Sequence, residues 1–295
     1  MSEPRFVVVG DLMTDVVAQA RGPVRRGSDT DARITTHPGG AGANTAAWLA
    51  SEGAPVALVG RVGDDAIGRT WVAGLVDAGV QVHAPVDPVR STGTVVVVVD
   101  PDGERSMLPD AGANAGLSPA DLPEALFAKG RHLHLSGYTL LHDGCRAAGL
   151  VSFDLARRRG MTISVDPASA GPIGDLGVER FLGWIEGADV LLANEDEVLR
   201  LTGEGDPEAA ARALADSFST VVVKLGAHGA LLVSGDRPAV QAQAVAVSVV
   251  DTTGAGDAFA AGFLPAWADG ATAMEALAAG NRVASYAVSR VGARP

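Results

Sequence analysis

The residues best suited to chemistry are Asp251-Thr-Thr-Gly-Ala-Gly-Asp257-Ala-Phe259. They follow Val245–Val250, which reads as an apolar strand, and open Asp257–Ala268, an Ala-rich stretch with helical spacing. Gly254 and Gly256 carry no Cβ, so the backbone amides around them can approach an anion closely. The first turn of a helix adds unpaired N–H groups and the positive end of its dipole. Gly254, Ala255 and Gly256 are therefore a candidate anion hole, suited to the charge that develops in phosphoryl transfer. Asp257, next to it, is a carboxylate able to accept a proton from an attacking hydroxyl. A bare Gly-x-Gly-Asp would read as a glycine turn with a helix-start aspartate; the full run of residues favours the site.

Other segments offer weaker signals. Asn194-Glu-Asp-Glu197 follows the apolar Val190–Leu192. Its spacing is that of a capping box, in which the fourth residue reaches back to the first. Lys224, Gly226 and Gly229 lie in Val223-Lys-Leu-Gly-Ala-His-Gly229, after another short strand. A lysine there either meets phosphate or is a solvated loop residue. His132 and His134 alternate on a strand with no cysteine cluster or His-Glu-x-x-His beside them, so they read as strand histidines and not as zinc ligands. Arg157–Arg159 closes a helix and serves its C-terminal dipole. The P-loop pattern is missing, and no dinucleotide fingerprint follows the first strand.

The elements that must position these residues are short β-branched runs: Phe6–Val9, Val56–Val59, Thr94–Val99, His132–Leu135, Thr162–Val165, Val190–Leu192, Val221–Val223, Ala230–Val233 and Val245–Val250. Helical segments alternate with many of them: Asn44–Glu52, Ile67–Ala78, Cys145–Arg159, Glu208–Phe218, Asp257–Ala268 and Ala273–Ser289. Nearly continuous apolar strands separated by helices predict a doubly wound, mostly parallel α/β sheet with helices on both faces. Ligands of such folds collect at the carboxyl ends of the strands. Two stretches break the pattern. Ala18–Pro38 is polar and loop-like, with a short strand at Arg33–Thr36. Gly93–Met107 reads as a hairpin turning at Asp100-Pro-Asp-Gly103. Together, insertions over about 12–38 and 91–110 predict a small β-lid on a single domain spanning 1–295.

Asp251–Phe259 resembles the C-terminal signature of the ribokinase, or PfkB-type carbohydrate kinase, family. Pro38-Gly-Gly-Ala-Gly-Ala-Asn44 resembles its N-terminal signature, with Val59-Gly-Arg-Val-Gly-Asp-Asp65 following in order. The resemblance implies ATP-dependent phosphorylation of a hydroxyl on a small sugar-like molecule, with a nucleoside kinase, or a non-catalytic sugar or nucleotide sensor on the same fold, as the alternatives. It implies Asp257 as the general base and Gly254–Gly256 as the anion hole. Asp15, Gly39, Gly40 and Asn44 are expected to hold substrate, although Asn44 taken alone reads as a helix cap. It implies ATP contacts from Asn194, Lys224, Gly226, Gly229 and Asn281. Glu197 is expected to organise Mg2+ through water, and Asp251 with Thr253 and carbonyls of the Ser289–Gly292 region to bind K+. Ribokinases proper place a glutamate where this chain has Ser136, which points to a pocket shaped by Ser136 or Tyr138 and to a sugar other than ribose. Arg105 in the hairpin meets substrate or phosphate, or is a solvated charge. A homodimer is expected by the same analogy.

The 295-residue chain carries 23 Lys and Arg against 35 Asp and Glu, a net charge of −12, with only two lysines, Lys129 and Lys224. That balance argues against nucleic acid and anionic membranes as partners. No apolar run approaches a membrane span, the N-terminal run is too short for a signal peptide, and Cys145 is the one cysteine. A cytoplasmic setting is expected. The scarcity of positive charge also implies a strong need for divalent metal if the ligand is a polyphosphate.

Overall fold

The computed structural model describes residues 3–102 and 104–295. In chain order the first elements are β1 (Phe6–Val9), β2 (Met13–Ala20), β3 (Ala32–Gly39), α1 (Ala41–Ser51), β4 (Val56–Val59), β5 (Val62–Gly63), α2 (Ala66–Asp77), β6 (Gln81–His83), β7 (Val86–Asp87), β8 (Gly93–Val99) and β9 (Arg105–Asp110). Then follow β10 (His132–Ser136), α3 (Tyr138–Leu141), α4 (Arg146–Arg159), β11 (Thr162–Asp166), α5 (Ala170–Leu176), α6 (Val178–Ile185), β12 (Val190–Asn194), α7 (Glu195–Thr202) and α8 (Pro207–Leu214). The last are β13 (Thr220–Lys224), β14 (Ala230–Val233), β15 (Val240–Ala242), α9 (Ala255–Ala268) and α10 (Ala273–Val288).

Among the described residues, nine strands form one sheet in the order β15-β14-β13-β12-β11-β10-β1-β4-β6. From β6 to β13 all pairings are parallel; β14 and β15 add an antiparallel margin. Strand alternation sorts the core into two layers. Val7 and Val9 face one layer, with Phe153 of α4, Phe181 of α6 and Leu214 of α8. Phe6 and Val8 face the other, with Trp48 of α1, Phe263 of α9 and Leu277 of α10. Helices thus cover both faces, as the apolar strands predict.

A second sheet of four strands has the order β3-β2-β8-β9, and it is built from the two insertions. The polar stretch Ala18–Pro38 is strand over about half its length: the strand expected at Arg33–Thr36 lies within Ala32–Gly39, which pairs antiparallel in continuous register with Met13–Ala20, itself parallel with β8. Most residues of this small sheet are half-buried or exposed, so its polar composition is consistent with strand. All of β9 is exposed. Of the hairpin turn, Gly103 lies outside the described residues; Asp100 Oδ1 accepts the amides of Asp102 and Glu104, each at 3.0 Å.

Val245–Val250 is not a strand, which corrects the sequence expectation. The segment runs past α10 without a strand partner: Ser285 Oγ donates to Val245 O at 3.0 Å, and Val250 N to Val288 O at 2.8 Å. β-branched composition reports fit to a pleated surface, and here no neighbouring strand supplies one.

His132 and His134 are buried strand residues, as expected. Ser164 Oγ lies 2.7 Å from His132 Nε2 and 2.8 Å from His134 Nδ1, and Thr162 Oγ1 lies 2.8 Å from His132 Nδ1. Burial pushes the two imidazoles down, to about 3 for His132 and about 4 for His134. The unfolded chain, with histidine near 6.5, takes up protons first, so their stabilisation is present above about pH 6.5 and is lost as pH falls toward the folded values. Each contributes a slope of up to about 1.4 kcal/mol per pH unit in that window. Urea unfolding at a series of pH values should show wild type losing stability relative to His132→Gln/His134→Gln as pH falls below that point. Parallel curves for the two proteins would contradict this.

Candidate active site

The carboxyl ends of β1, β10, β11, β12 and β13 lie side by side and present Asp11, Ser136, Asp166, Asn194 and Lys224 in that order. Two helix N-termini converge on this edge. The first is that of α1. A Cβ on Gly10 would lie 2.6 Å from Gly42 Cα, so the turn after β1 and the first turn of α1 touch backbone to backbone. Gly40, at φ 93°, caps α1 without a side-chain bond. Asp11 supplies the missing acceptor from outside: its carboxylate takes the amides of Ala41 at 3.2 Å and Gly42 at 3.3 Å. Burial still raises the Asp11 pKa, because these bonds only partly offset desolvation.

The second N-terminus is that of α9. Gly254 caps it at φ 74°, a left-handed conformation in which a Cβ would also sit 2.7 Å from Ala293 O. Ala255 N donates to Thr252 O at 3.3 Å, whereas the amides of Gly256 and Asp257 have no acceptor among the described residues. Gly254 N likewise has no acceptor among the described residues, so open amides run from Gly254 to Asp257 with only Ala255 engaged. A Cβ on Gly256 would come 3.2 Å from Lys224 Nζ, which brings the lysine against these amides.

Lys224 is no solvated loop residue. It is largely buried and paired with Asp166 Oδ2 at 2.7 Å. Burial alone would lower its pKa, but the Asp166 and Glu197 carboxylates outweigh that and raise it, keeping the ammonium charged. Glu197 is buried beside this pair, and burial followed by the Asp166 charge raises its carboxyl. Both Glu197 oxygens are held by Asn194, Oε2 by the backbone N at 2.9 Å and Oε1 by Nδ2 at 2.7 Å. Asn194 Oδ1 accepts the Glu197 amide at 2.9 Å, completing the capping box read from the spacing.

Asp257 is half-buried where the two helices meet. Asn44 Nδ2 donates to its Oδ2 at 3.0 Å, so Asn44 bridges helices and is not a cap. Burial pushes the Asp257 carboxyl well above the usual range; Asn44 and Lys224 oppose this, and Asp166 and Asp11 add to it. Asp15, on β2, is only 8% exposed and accepts no hydrogen bond from the described residues. Burial and Asp11 raise it to about 6, with Arg294 and His37 opposing. A Cβ on Gly39 would lie 2.1 Å from Asp15 Oδ1, so glycine there makes room for the carboxylate. Ser136 Oγ turns to Asp11 Oδ1 at 3.4 Å.

The remaining candidates are more structural in character. Gly229 permits the β13–β14 turn to pass the chain after β15, since a Cβ would meet Ala242 O at 2.0 Å. Gly226 starts the short turn before it at φ 56°. Asn281 is buried, and its Nδ2 donates to Ala242 O at 2.9 Å and Gln243 O at 3.1 Å, leaving only Oδ1 free of protein contacts. Asp251 Oδ1 accepts Thr253 N at 3.0 Å, Thr253 Oγ1 at 2.7 Å and Arg105 Nη2 at 2.9 Å, while Oδ2 accepts Gly292 N at 3.1 Å. Arg105, on β9, also donates to Thr253 Oγ1 at 2.9 Å, so the small sheet is tied to the loop before α9.

Three central residues escape the sequence reading: Asp11, Asp166 and Arg294. Asp11 and Asp166 stand at or next to carboxyl ends of parallel strands, where the fold expectation itself places ligands, and that position was the usable signal. Arg294 had none; it arrives from the C-terminal tail.

An edge that sets a half-buried carboxylate beside open helix-terminal amides and a lysine is the equipment of a phosphotransferase. The sequence pattern of the pfkB family of carbohydrate kinases matches residues 3–295, and the chain belongs to that family. A ribokinase of Arabidopsis thaliana is 32% identical over 308 residues, covering 99% of this chain and 78% of the relative. The crystal structure of an adenosine kinase from Sinorhizobium meliloti matches with a TM-score of 0.90 at 27% identity, over 100% of this chain and 96% of that one. A fructokinase from Vibrio cholerae O395, crystallised with fructose, ADP and calcium ion, matches at 0.83 and 30% identity, over 99% and 95%. The fold is ribokinase-like.

Removing Lys224 would strand two buried carboxylates. Lys224→Met should cost about 3 kcal/mol of unfolding free energy, as broken buried pairs do. Lys224→Met/Asp166→Asn should recover most of it. Urea unfolding of the three proteins checks both; a loss under about 1 kcal/mol, the range of an exposed pair, would mean that Lys224 is solvated.

Proposed function

We propose that this carbohydrate kinase transfers the γ-phosphoryl group of ATP to a hydroxyl of a small sugar or sugar-like acceptor. One observation carries the reading: Arg294 faces both the donor-free Asp15 and the Asp257 carboxylate, which opens α9 beside the acceptor-free amides of Gly256 and Asp257. Hydroxyls supply the donors that Asp15 lacks, and phosphoryl oxygens supply the acceptors that the amides lack. Gly39 keeps Asp15 in place, Gly40 and Asn44 complete the acceptor side, and Ser136 shapes its floor.

Asp257 accepts the proton of the attacking hydroxyl. Its raised pKa brings its basicity toward the operating pH, where a general base works best. Lys224 and the amides at the start of α9 hold phosphoryl oxygens in line with that hydroxyl, so positioning and electrostatics carry most of the rate. Asn194, Gly226, Gly229 and the free Oδ1 of Asn281 flank the nucleotide side. Mg2+, when bound with the nucleotide, neutralises phosphate charge. Among the described residues no group of three or more His, Cys, Asp or Glu forms a ready-made metal cage, which suits an ion held mainly by phosphates and water. Glu197, with both oxygens held by Asn194, fits an outer position reached through water.

K+ fits the donor set less well. The Asp251 carboxylate already faces the Arg105 guanidinium and three further protein donors, so we assign no step to potassium. Turnover should be equal in potassium chloride and choline chloride; activation by potassium would return the ion to this loop.

The unit spans 1–295, and the four-stranded sheet over 12–38 and 91–110 is its lid, which excludes water when Arg105 meets Asp251. Exposed Ile34, Met107 and Leu108 on that sheet fit the expected homodimer. Among the described residues no helix is long and apolar enough to cross a membrane. Dependence on ATP suits a cytoplasmic setting.

ATP consumption over a panel of pentoses, hexoses, ketoses and nucleosides identifies the acceptor, the nucleoside arm being prompted by the adenosine kinase match. Asp257→Asn should lower kcat by about 10²–10⁴-fold with acceptor binding retained; full activity would remove Asp257 as base. Gly39→Ala, which displaces Asp15, should raise KM for the acceptor by at least about tenfold and leave KM for ATP unchanged. Equal rises in both constants would place Asp15 outside the acceptor pocket.

A further inference from the structure

Arg294 reaches the site from beyond α10, at the opposite end of the sequence from the residues it touches. Its Nη2 donates to Gly39 O at 2.7 Å, and its Nε to Asn44 Oδ1 at 3.1 Å. Asn44 Nδ2 donates in turn to Asp257 Oδ2 at 3.0 Å. A guanidinium has only donors, and an ionised carboxylate has only acceptors. Between them, the Asn44 amide can satisfy both neighbours in one orientation. Its oxygen must face Arg294 and its NH2 must face Asp257. The flipped amide would set NH2 against guanidinium and oxygen against carboxylate, two repulsions in a buried space.

We propose that Arg294 is a positioning residue for Asp257, holding the Asn44 amide in the one orientation that donates to the carboxylate. The tail does not need Arg294 for its own anchoring. Trp48 Nε1 donates to Ala293 O at 2.9 Å, Gly292 N donates to Asp251 Oδ2 at 3.1 Å, and Ala293 is buried against Gly254. Loss of the Arg294 side chain therefore leaves the tail in place and removes the constraint on Asn44.

The charge environment makes that constraint matter. Asp11 from the end of β1, Asp166 from β11 and Lys224 from β13 all act on Asp257, and Asn44 does so from α1. Asp257 in turn acts on Tyr138 of α3 and on Arg294, which also faces Asp15 and Asp11. Burial is the largest influence on Asp257, and the Asp11 and Asp166 carboxylates offset the Lys224 and Arg294 cations, so a proton on it is favoured unless a donor stabilises its charged form. Asn44 is the one side chain that hydrogen bonds it among the described residues. Disordering Asn44 moves Asp257 toward the protonated form, in which it cannot accept a proton from a hydroxyl.

The functional weight of this inference rests on the kinase reading, but its test does not. The carboxyl carbon of Asp257 can be titrated by carbon-13 NMR in the full chain without sugar or nucleotide, its resonance assigned by its absence in Asp257→Asn. Arg294→Met should raise the Asp257 midpoint by about one pH unit, the scale of a lost hydrogen bond to a charged group. Arg294→Lys, which keeps a donor and the charge, should shift it by less than about half of that. In an Asn44→Ala background, Arg294→Met should shift it by less than about a third of a unit, because the relay is already gone. An equal shift in both backgrounds would mean that Arg294 acts by its field alone, and no shift in either would mean that it does not act on Asp257; each result overturns the proposal. A silent kinase assay leaves this titration standing, and a failed titration leaves the kinase reading standing.

Discussion

The hydrogen bond between Asn44 and Asp257 joins residues that lie 213 positions apart. It exists because α1 and α9 start at the same place, over the carboxyl edge of the large sheet. That meeting has a strict steric condition. The turn after β1 must lie against the first turn of α1, which Gly10 and Gly42 alone allow, and the start of α9 must lie against the tail at Ala293, which Gly254 allows. Each glycine removes the one carbon that would keep two backbones apart. The rest of the site follows from this packing. Asp11 is drawn under α1 as its acceptor, Asn44 is presented inward from the first turn, and Asp257 is partly shielded between the helices.

The second theme is an acidic site in an acidic protein. Asp11, Asp15, Asp166, Glu197 and Asp257 gather where Lys224 and Arg294 are the buried cations. Burial raises four of these carboxyls, and no full set of charge partners compensates them. A protein that handled phosphate by bulk positive potential would look different. In the proposed reading the anion is met by directed amides, one lysine and the metal that accompanies a nucleotide. Charge in such a pocket is local, and the net charge of −12 says little about it.

The sequence made the large sheet legible wherever strands were buried on both faces, because continuous apolar runs bounded by helical spacing have few other readings. Phe6–Val9, Val56–Val59 and Ala230–Val233 match residue for residue. Legibility failed where burial and propensity part company. Met13–Ala20 is a strand whose far half is only partly buried, and it blended into the loop that follows. Val245–Val250 has the composition of a strand but lies alongside a helix. In the site, motif residues such as Asp257 and Glu197 were visible because their spacing is tied to a helix start. Asp11, Asp166 and Arg294 act by where the fold delivers them, and no local spacing encodes that. Ser136 was singled out as a departure from the family pattern, and its hydroxyl is directed at Asp11, one of those unread carboxylates.

The order of the strands has a consequence for how the protein is made. β1 is synthesised first, yet it lies deep inside the sheet, with β4 on one side and β10, more than a hundred residues later, on the other. The tail then returns to Gly39 and Asn44, so the pocket is closed by a segment that follows every strand and helix. Until β10 emerges the growing chain therefore exposes a half-flanked, wholly apolar strand, an aggregation-prone condition for a nascent protein. The contacts of Arg294 with Gly39 and Asn44 form only once residue 294 has emerged. Assembly is thus governed by long-range closure, so that a chain stalled even a few residues short of Arg294 would hold nearly all of the fold and lack the contact that completes the pocket.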